Sequence, residues 1–538
     1  MFKSCRSFRQ FLSHYAFIAL VALLIASPVP AQEKKAAKKE KPMNVLFIAV
    51  DDLRPELGCY GSEAIKSPNI DRLSKSGVTF DRAYCQVALC NPSRASLLTG
   101  LRPDSVRVWD LPTHFRTKTP GAVTLPQCFG KNGYRSISIG KIHHHNLLDP
   151  ISWTEPKLDE KNAEKRKMFY PGVQYLDPKA QARIDEIFKD LMEKEGRSPE
   201  FVYKYGHRYI KLKATECMDV PDNAYFDGAQ TDVAVEKIAE FAKADKPFFF
   251  AVGYHKPHLP FTVPKKYWDM YKRDEIPLAE NDFTPKGAPP MAMNTMQEVR
   301  DYEDTADSPS PSEGSVSKER AKFLRHGYFA CVTYVDAQIG RLLDQLKKSG
   351  LEDDTIVILW GDHGWKLGEH RSWCKMTNYE IDARAPLIIR VPGAKENGKH
   401  CDKLVEFVDV YPTLCELAGI DGPAELEGTS FVPLLEDTKQ PWKKAAFTQF
   451  LRYGKWMGPE AVPYMGYALR TPDWRYVEWY EWDLEKEKTG KLVGRELYDE
   501  KNDSQENVNV ADAPENAATV KKLAAQLKAG WKAARPEK

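Results

Sequence analysis

The sequence predicts an α/β protein: a large, mostly parallel mixed sheet between helices, followed by a smaller C-terminal α+β part with an antiparallel sheet. Three observations predict it. The short apolar runs at 44–50, 247–253 and 355–360 fit strands buried on both faces, as parallel strands are. Helical patterns at 231–242 and 328–348 alternate with those runs. After about residue 440 the texture changes, and 464–480 and 495–498 interleave aromatic and β-branched residues, as antiparallel strands do.

The chain has 538 residues, enough for two or three domains and an ample core. Its formal net charge of +2 gives no global field to recruit nucleic acid or a membrane surface. Lys3, Arg6 and Arg9 precede an apolar stretch at 15–26 that is too short to span a bilayer, and small residues follow at Val29-Pro30-Ala31. This reads as a signal peptide over 1–31, hence an exported protein, periplasmic or secreted, with no stable membrane insertion after cleavage. Residues 32–42 form a charged leader. The ten cysteines show neither the density of a disulfide scaffold nor CxxC pairs. A few disulfides are compatible with export; their connectivity is not readable.

In chain order, the 44–50 strand ends in Asp51-Asp52, and Ser67-Pro68 opens a helix that Gly77 ends. In Cys90-Asn91-Pro92-Ser93-Arg94, Pro92 suits a first helical turn, and Gly100 suits the helix end. Residues 133–140 read as a strand ending in Lys141 and the run His143-His144-His145. Residues 155–219 are highly charged and partly helical, as in an insertion. The 247–253 strand leads to His255-Lys256-Pro257-His258, 281–317 is loop, and the 355–360 strand ends in Gly361-Asp362-His363-Gly364. A helix is expected at 405–418 and an amphipathic one at 517–529. The catalytic part is thus 43–440 and the C-terminal subdomain 441–538.

In an open parallel sheet, ligands bind beyond the carboxyl ends of the strands. Asp51, Asp52, Lys141, His255, Asp362 and His363 would then share one edge. Each has a plainer reading as a cap, turn or surface group. Together, three carboxylates and an imidazole suit a hard cation, and oxygen-rich donors suit Ca²⁺. Cys90, at a helix N-terminus beside Arg94, fits either a packed thiol or a reactive one. Lys375 by itself reads as a surface lysine.

Cys90-x-Pro92-Ser93-Arg94 with Ala95-Ser96-Leu97-Leu98-Thr99-Gly100, strand-Asp51-Asp52, Ser67–Leu73, Gly140-Lys141 and Gly361-Asp362-His363-Gly364 resemble, in order, the motifs of type I sulfatases. The resemblance covers about 44–509. Segments 251–261 (AVGYHKPHLPF), 362–370 (DHGWKLGEH) and 465–471 (MGYALRT) are most similar to the iduronate-2-sulfatase group. Segment 155–219 and Arg371-Ser372-Trp373-Cys374 depart from that group, and both could line a substrate pocket.

The resemblance implies an alkaline-phosphatase-like core and hydrolysis of a sulfated glycan, with exo action. It implies that a formylglycine-generating or sulfatase-maturating enzyme oxidises Cys90 to formylglycine (3-oxoalanine). The hydrate of that aldehyde would attack sulfur, form a covalent sulfate ester and then expel sulfate. Asp51, Asp52, Cys90, Asp362 and His363 would hold one Ca²⁺; Arg94, Lys141 and Lys375 would clamp sulfate oxygens. His255 would be the acid for the leaving alcohol and His144 the base, with His143 the alternative. Rival readings are a phosphonate or phosphodiester hydrolase with the same aldehyde, or an inactive relative that binds sulfated glycans.

Overall fold

The computed structural model describes residues 42–144, 147–158, 175–453 and 462–537. The expected signal peptide, nearly all of the leader, His145 and part of the 155–219 insertion lie outside them. Residues 42–538 form one compact unit, so the C-terminal part is a subdomain packed on the core.

The core is a seven-stranded sheet. Its strands are β1 (Asn44–Val50), β2 (Val78–Tyr84), β3 (Arg135–Gly140), β4 (Phe248–Tyr254), β5 (Thr355–Gly361), β6 (Leu387–Arg390) and β7 (His400–Glu406). Their order is β7-β2-β6-β5-β1-β4-β3, and only β6 runs antiparallel to its neighbours. β1 is buried along its whole length. Leu46, Ile48 and Val50 pack on one face with the long Lys318–Lys348 helix and the Phe226–Phe241 helix. Val45, Phe47 and Ala49 face the other layer, which includes the Cys90–Thr99 and Val410–Leu417 helices. Alternation of side chains along a strand makes this three-layer arrangement possible.

Register brings the strand ends level. Val50 pairs with Tyr254 on one side and with Gly361 on the other, and Gly140 pairs with Gly253. Asp51, Lys141, His255 and Asp362 therefore all leave the sheet at one edge. The approach there is close. A Cβ on Gly253 would stand 2.1 Å from the Lys141 carbonyl oxygen, and Gly140 takes φ 75°, so neither position admits a side chain without strain.

The C-terminal sheet is antiparallel, in the order β8 (Ala446–Arg452), β9 (Tyr464–Arg470), β10 (Trp474–Asp483), β11 (Lys488–Asp499). Ala468, Val477, Trp479 and Tyr498 pack on the core beside Tyr379. Leu469, Tyr476 and Leu497 pack on the other side against the Ala517–Ala533 helix. Partly buried Glu380 of the core joins Arg470 and Arg475 of the small sheet.

Some boundaries differ from the sequence expectation. Val405 and Glu406 end β7 instead of opening a helix, because they pair with Ala83 and Tyr84; the helix begins at Val410. The Phe226–Phe241 helix starts five residues earlier than the pattern at 231–242, because the Asp227 carboxylate accepts hydrogen bonds from the His255 and Lys256 amides. The long helix starts at Lys318, ten residues earlier than expected, where the Ser317 hydroxyl accepts from the Arg320 amide. The 281–317 loop contains two short helical turns, a 3-10 turn at Pro290–Ala292 and an α turn at Gln297–Arg300. Among the described residues all nine cysteines are free, and no helix is long and apolar enough to cross a membrane.

Candidate active site

Cys90 opens a ten-residue helix that ends on Gly100 in the left-handed conformation. All ten residues are buried, so the helix N-terminus points into the protein. His363 Nε2 stands 3.3 Å from Cys90 Sγ and 3.5 Å from Asp52 Oδ1. The Asp52 amide donates to Asp362 Oδ1 at 3.0 Å; Asp52 itself takes φ 58°, a left-handed turn that follows directly on β1. The five expected metal-site residues, Asp51, Asp52, Cys90, Asp362 and His363, thus meet at one point, each at most 2% exposed.

Three cations surround them. Arg94 Nε donates to Asp362 Oδ2 at 2.9 Å, Nη2 reaches Asp51 Oδ1 at 2.9 Å, and Nη1 donates to the carbonyls of Lys141 and Ile142. Its planar fork thus reaches the two carboxylates and the backbone as well as lying beside residue 90. Lys141 Nζ donates to Asp51 Oδ2. Lys375 Nζ lies 3.0 and 3.1 Å from the Asp52 oxygens and 2.8 Å from Glu298 Oε1. Lys375 is buried, not on the surface. It follows a short hairpin, Lys366–Leu367 with Trp373–Cys374, in which His370, Arg371 and Cys374 all have positive φ.

Electrostatics at the site follow from burial. Burial, with Asp51 beside it, pushes the Cys90 thiol well above its ordinary pKa. The electropositive helix end does not win here, because Arg94 is spent on Asp51 and Asp362 and both carboxylates face the sulfur. Burial works against the Asp51 charge too, but Lys141 and Arg94 hold that carboxyl well below the usual range. Burial, only partly offset by Lys375, pushes Asp52 up to about 8. Three buried acids and the partly exposed Glu298 face three cations, so with every acid ionised the cluster is one positive charge short, which is the state a bound cation would favour.

That shortage and the geometry fit a divalent cation. Ligand atoms from Asp52, Cys90 and His363 lie within 4.8 Å of one another, as do those from Asp51, Cys90 and Asp362. Oxygens held about 2.3–2.6 Å from Ca²⁺ span at most about 5 Å, and the donor set is rich in hard oxygens.

Of the three histidines the sequence offered, two face the cluster. His255 is buried after β4, its Nδ1 3.7 Å from Asp227 Oδ1; burial lowers it to about 4 against the pull of Asp227. His144 is buried in the field of Lys141, Asp51, Arg94 and His258; burial and then Lys141 hold it well below the ordinary histidine value. His143 instead packs between Phe115 and Trp153, with ring centroids 6.2 Å away in both cases. The run of histidines therefore splits: His144 joins the cluster and His143 joins an aromatic wall.

Three contributors escaped the sequence reading. His258 Nε2 lies 3.1 Å from Glu298 Oε1 and 3.9 Å from Asp52 Oδ2. It stood in the strand-end segment and carried a signal. Glu298 comes from the polar loop, whose only mark in the sequence was polarity. Asp227 sits at a helix start and holds the His255 loop by its backbone amides.

The comparisons with known proteins follow the same lines. The sulfatase family model matches residues 43–420, and the model for the C-terminal part of N-sulphoglucosamine sulphohydrolase matches 368–533. The chain is 33% identical to human iduronate 2-sulfatase over 506 residues, covering 83% of this chain and 86% of the relative. It is 31% identical to a sulfatase of Formosa agariphila, covering 89% and 85%. In fold it is similar to a structure solved with its substrate D-glucosamine-2-N,6-O-disulfate (TM-score 0.68, 22% identity, 91% of this chain and 98% of that one). It is also similar in fold to the phosphonate monoester hydrolase of Agrobacterium radiobacter (TM-score 0.65, 23% identity, 90% and 95%).

Proposed function

This chain belongs to the sulfatase family, and from that premise we propose that it is an exported, iduronate-2-sulfatase-like enzyme that removes sulfate from a glycan at the Cys90 site. The observation that carries the reading is the convergence of Asp51, Asp52, Asp362 and His363 on Cys90. These four side chains, with residue 90, would hold Ca²⁺, which when bound supplies the positive charge that an attacking oxygen and a sulfate oxygen need. Sγ stands in for an oxygen of the mature residue 90. As encoded, the thiol is kept neutral by burial and is a poor nucleophile. Matured to formylglycine by a partner enzyme, the residue supplies a hydrated aldehyde with one hydroxyl to attack sulfur and a second to release sulfate.

The remaining roles fall to this chain's own side chains. Lys141 and Lys375 approach the carboxylates from the Asp51 and Asp52 sides respectively, and both would face sulfate oxygens as charge gathers on them. Arg94, with Lys141, keeps Asp51 ionised, and it holds Asp51 and Asp362 in place. His255, with Asp227 behind it, would give a proton to the ester oxygen as the S–O bond breaks. His144, kept neutral by its surroundings, is suited to take a proton from residue 90 when sulfate is released.

The proton on His255 sets a pH dependence. Its pKa is lowered to about 4, so the acid form grows as pH falls toward that value and is lost above it. With a poor alkyl leaving group, kcat/KM should therefore fall as pH rises; with an activated aryl sulfate it should not. Replacing His255 with Ala should remove that limb and cost about 10²–10⁴-fold on the glycan sulfate alone. Equal loss on both substrates at every pH would rule out the acid role. Sulfate released from a panel of sulfated glycans, read by ion chromatography, tests the reaction itself.

Calcium gives a second readout that does not depend on activity. Chelation should lower the melting temperature and added Ca²⁺ should restore it. A ligand at a hundredfold its Kd stabilises the folded state by about 2.7 kcal/mol. No thermal response to Ca²⁺, in the wild type and in Asp362→Asn alike, would remove the cation from the reading.

A further inference from the structure

The C-terminal sheet has a second face that the site described above does not use. Its outer side is covered along one row, where Phe447, Leu469, Tyr476 and Leu497 pair in register beneath the Ala517–Ala533 helix. The next row is open. There Gln449, Tyr467, Glu478 and Arg495 pair in register across all four strands and line a groove of about 810 Å³. Trp531 and Lys528 of the terminal helix form one wall, and residues 102–105, just past the Cys90 helix, form another. None of the lining residues belongs to the Cys90 site.

Three properties of the groove point to a ligand. First, Gln86 lies in its lining, is 1% exposed, and has neither amide atom hydrogen-bonded. A buried amide with both ends unsatisfied is costly, and native structures seldom keep one without something to bond it. Second, the lining includes Tyr467 of this row and Tyr480 of the adjoining one, among groups that can bond hydroxyls; Trp531, also in the lining, carries Arg102 and Arg535 on its ring, 4.9 and 4.5 Å from the centroid. A pyranose has flat C–H faces that pack on aromatic rings and a rim of hydroxyls that needs donors and acceptors; aromatic side chains with polar tips suit both demands.

Third, the charges sort by sign. The acids in the groove are occupied from within the protein. Asp104 accepts from Trp109 Nε1, Gln449 Nε2 and Tyr467 OH at 2.9, 2.7 and 3.0 Å. Glu478 accepts from Tyr476 OH at 2.8 Å and from Tyr480 OH. Of the cations, Arg102 is buried and paired with Glu406, while two face outward: the Arg495 side chain is 47% exposed and 3.8 Å from Glu478, and Lys528 is exposed. The helix that forms the wall carries Lys521, Lys522, Lys528 and Lys532 and has no acidic residue between 517 and 533. Lys528 and Arg495 at the groove, with the other lysines elsewhere on the same helix, over a tyrosine-bearing, hydroxyl-bonding floor complement an anionic sugar chain.

We propose that this groove is a second carbohydrate-binding site, which holds a sulfated stretch of oligosaccharide while another part of the chain occupies the Cys90 site. The proposal rests on the sulfatase reading for the identity of the ligand. It assigns the groove to grip and the Cys90 cluster to chemistry.

Direct titration tests it. The probe is a fully sulfated, uronic-acid-containing octasaccharide, with its desulfated counterpart as control, added to the full-length Cys90→Ala protein so that nothing is turned over. Two binding events are expected. Arg495→Ala with Lys528→Ala should weaken one of them about tenfold, as loss of charge-assisted contacts worth about 1.4 kcal/mol would. The same pair in the active protein should raise KM on a sulfated polymer and leave kcat/KM on a small activated aryl sulfate unchanged. Gln86→Leu, a separate variant, should weaken the same event without touching the exposed cations. A single binding event, an event indifferent to all three substitutions, or equal binding of the desulfated octasaccharide would overturn the proposal. Wild-type protein that turns over no sulfate ester but still shows the groove event would instead overturn the sulfatase reading and leave the site standing as a binding groove.

Discussion

Cys90→Ser is expected to reduce turnover of a glycan sulfate by roughly 10⁴- to 10⁶-fold, the scale at which losing a nucleophile leaves only binding and electrostatics behind. The reason is that a catalyst at this position needs two oxygens on one carbon. A serine hydroxyl could attack sulfur once, but it has no second hydroxyl with which to expel sulfate. The native thiol is no better placed, since burial and the adjacent Asp51 hold its proton on. The melting temperature should barely change, because the hydroxyl replaces the sulfur in a helix whose ten residues are all buried and otherwise intact. Mass analysis of the peptide carrying residue 90 in wild-type protein gives the companion result: CHO in place of CH₂SH. Fully active enzyme with an unmodified thiol would end the mechanism proposed here.

The second large effect belongs to Arg94. It bridges Asp51 and Asp362 with one guanidinium and binds two backbone carbonyls with what remains. Arg94→Ala leaves Asp362 buried without its guanidinium and Asp51 with Lys141 alone. Breaking a buried pair on one side costs about 3–5 kcal/mol, more than the pair itself contributes to stability, because an uncompensated charge stays behind. Chemical denaturation should show that loss, and turnover should fall with it. Arg94→Lys should recover only part, because a single ammonium cannot span both carboxylates and both carbonyls as the planar fork does. If saturating Ca²⁺ returned Arg94→Ala to full stability and full rate, the positioning role would be wrong.

The strand-end acids and basic residues were legible because a continuous apolar run announces a buried strand. Once the strands are parallel, whatever follows each of them meets at one edge. That logic found Asp51, Asp52, Lys141, His255, Asp362 and His363 before any geometry. It could not find β2, β6 or β7. β2 carries Asp81 and Arg82 in its middle, β6 is four residues long, and β7 is a sheet-edge strand with polar residues where it faces solvent. Their pairing is set by neighbours far along the chain, not by local pattern.

Glu298 and Asp227 were hidden for a similar reason. Each sits in a segment whose own sequence asks for nothing, and each acts only because another segment is packed against it. Arg94 was visible as a residue beside a reactive position, but its bridge between Asp51 and Asp362 was not, because both carboxylates come from other segments. The choice between His143 and His144 had the same character, since adjacent residues are alike in sequence and differ only in the direction their side chains take.

What the sequence alone determined was the chemistry available and the edge where it gathers, because burial, periodicity and strand direction are local properties that repeat along the chain. What only the tertiary structure decided was which charges offset which. It spent Arg94 on Asp51 and Asp362, brought Glu298 to Lys375, and left Gln86 unsatisfied in a groove on the far sheet. Those outcomes are set by distances between residues up to several hundred positions apart, and electrostatic and hydrogen-bond energies depend on distances that no local pattern carries.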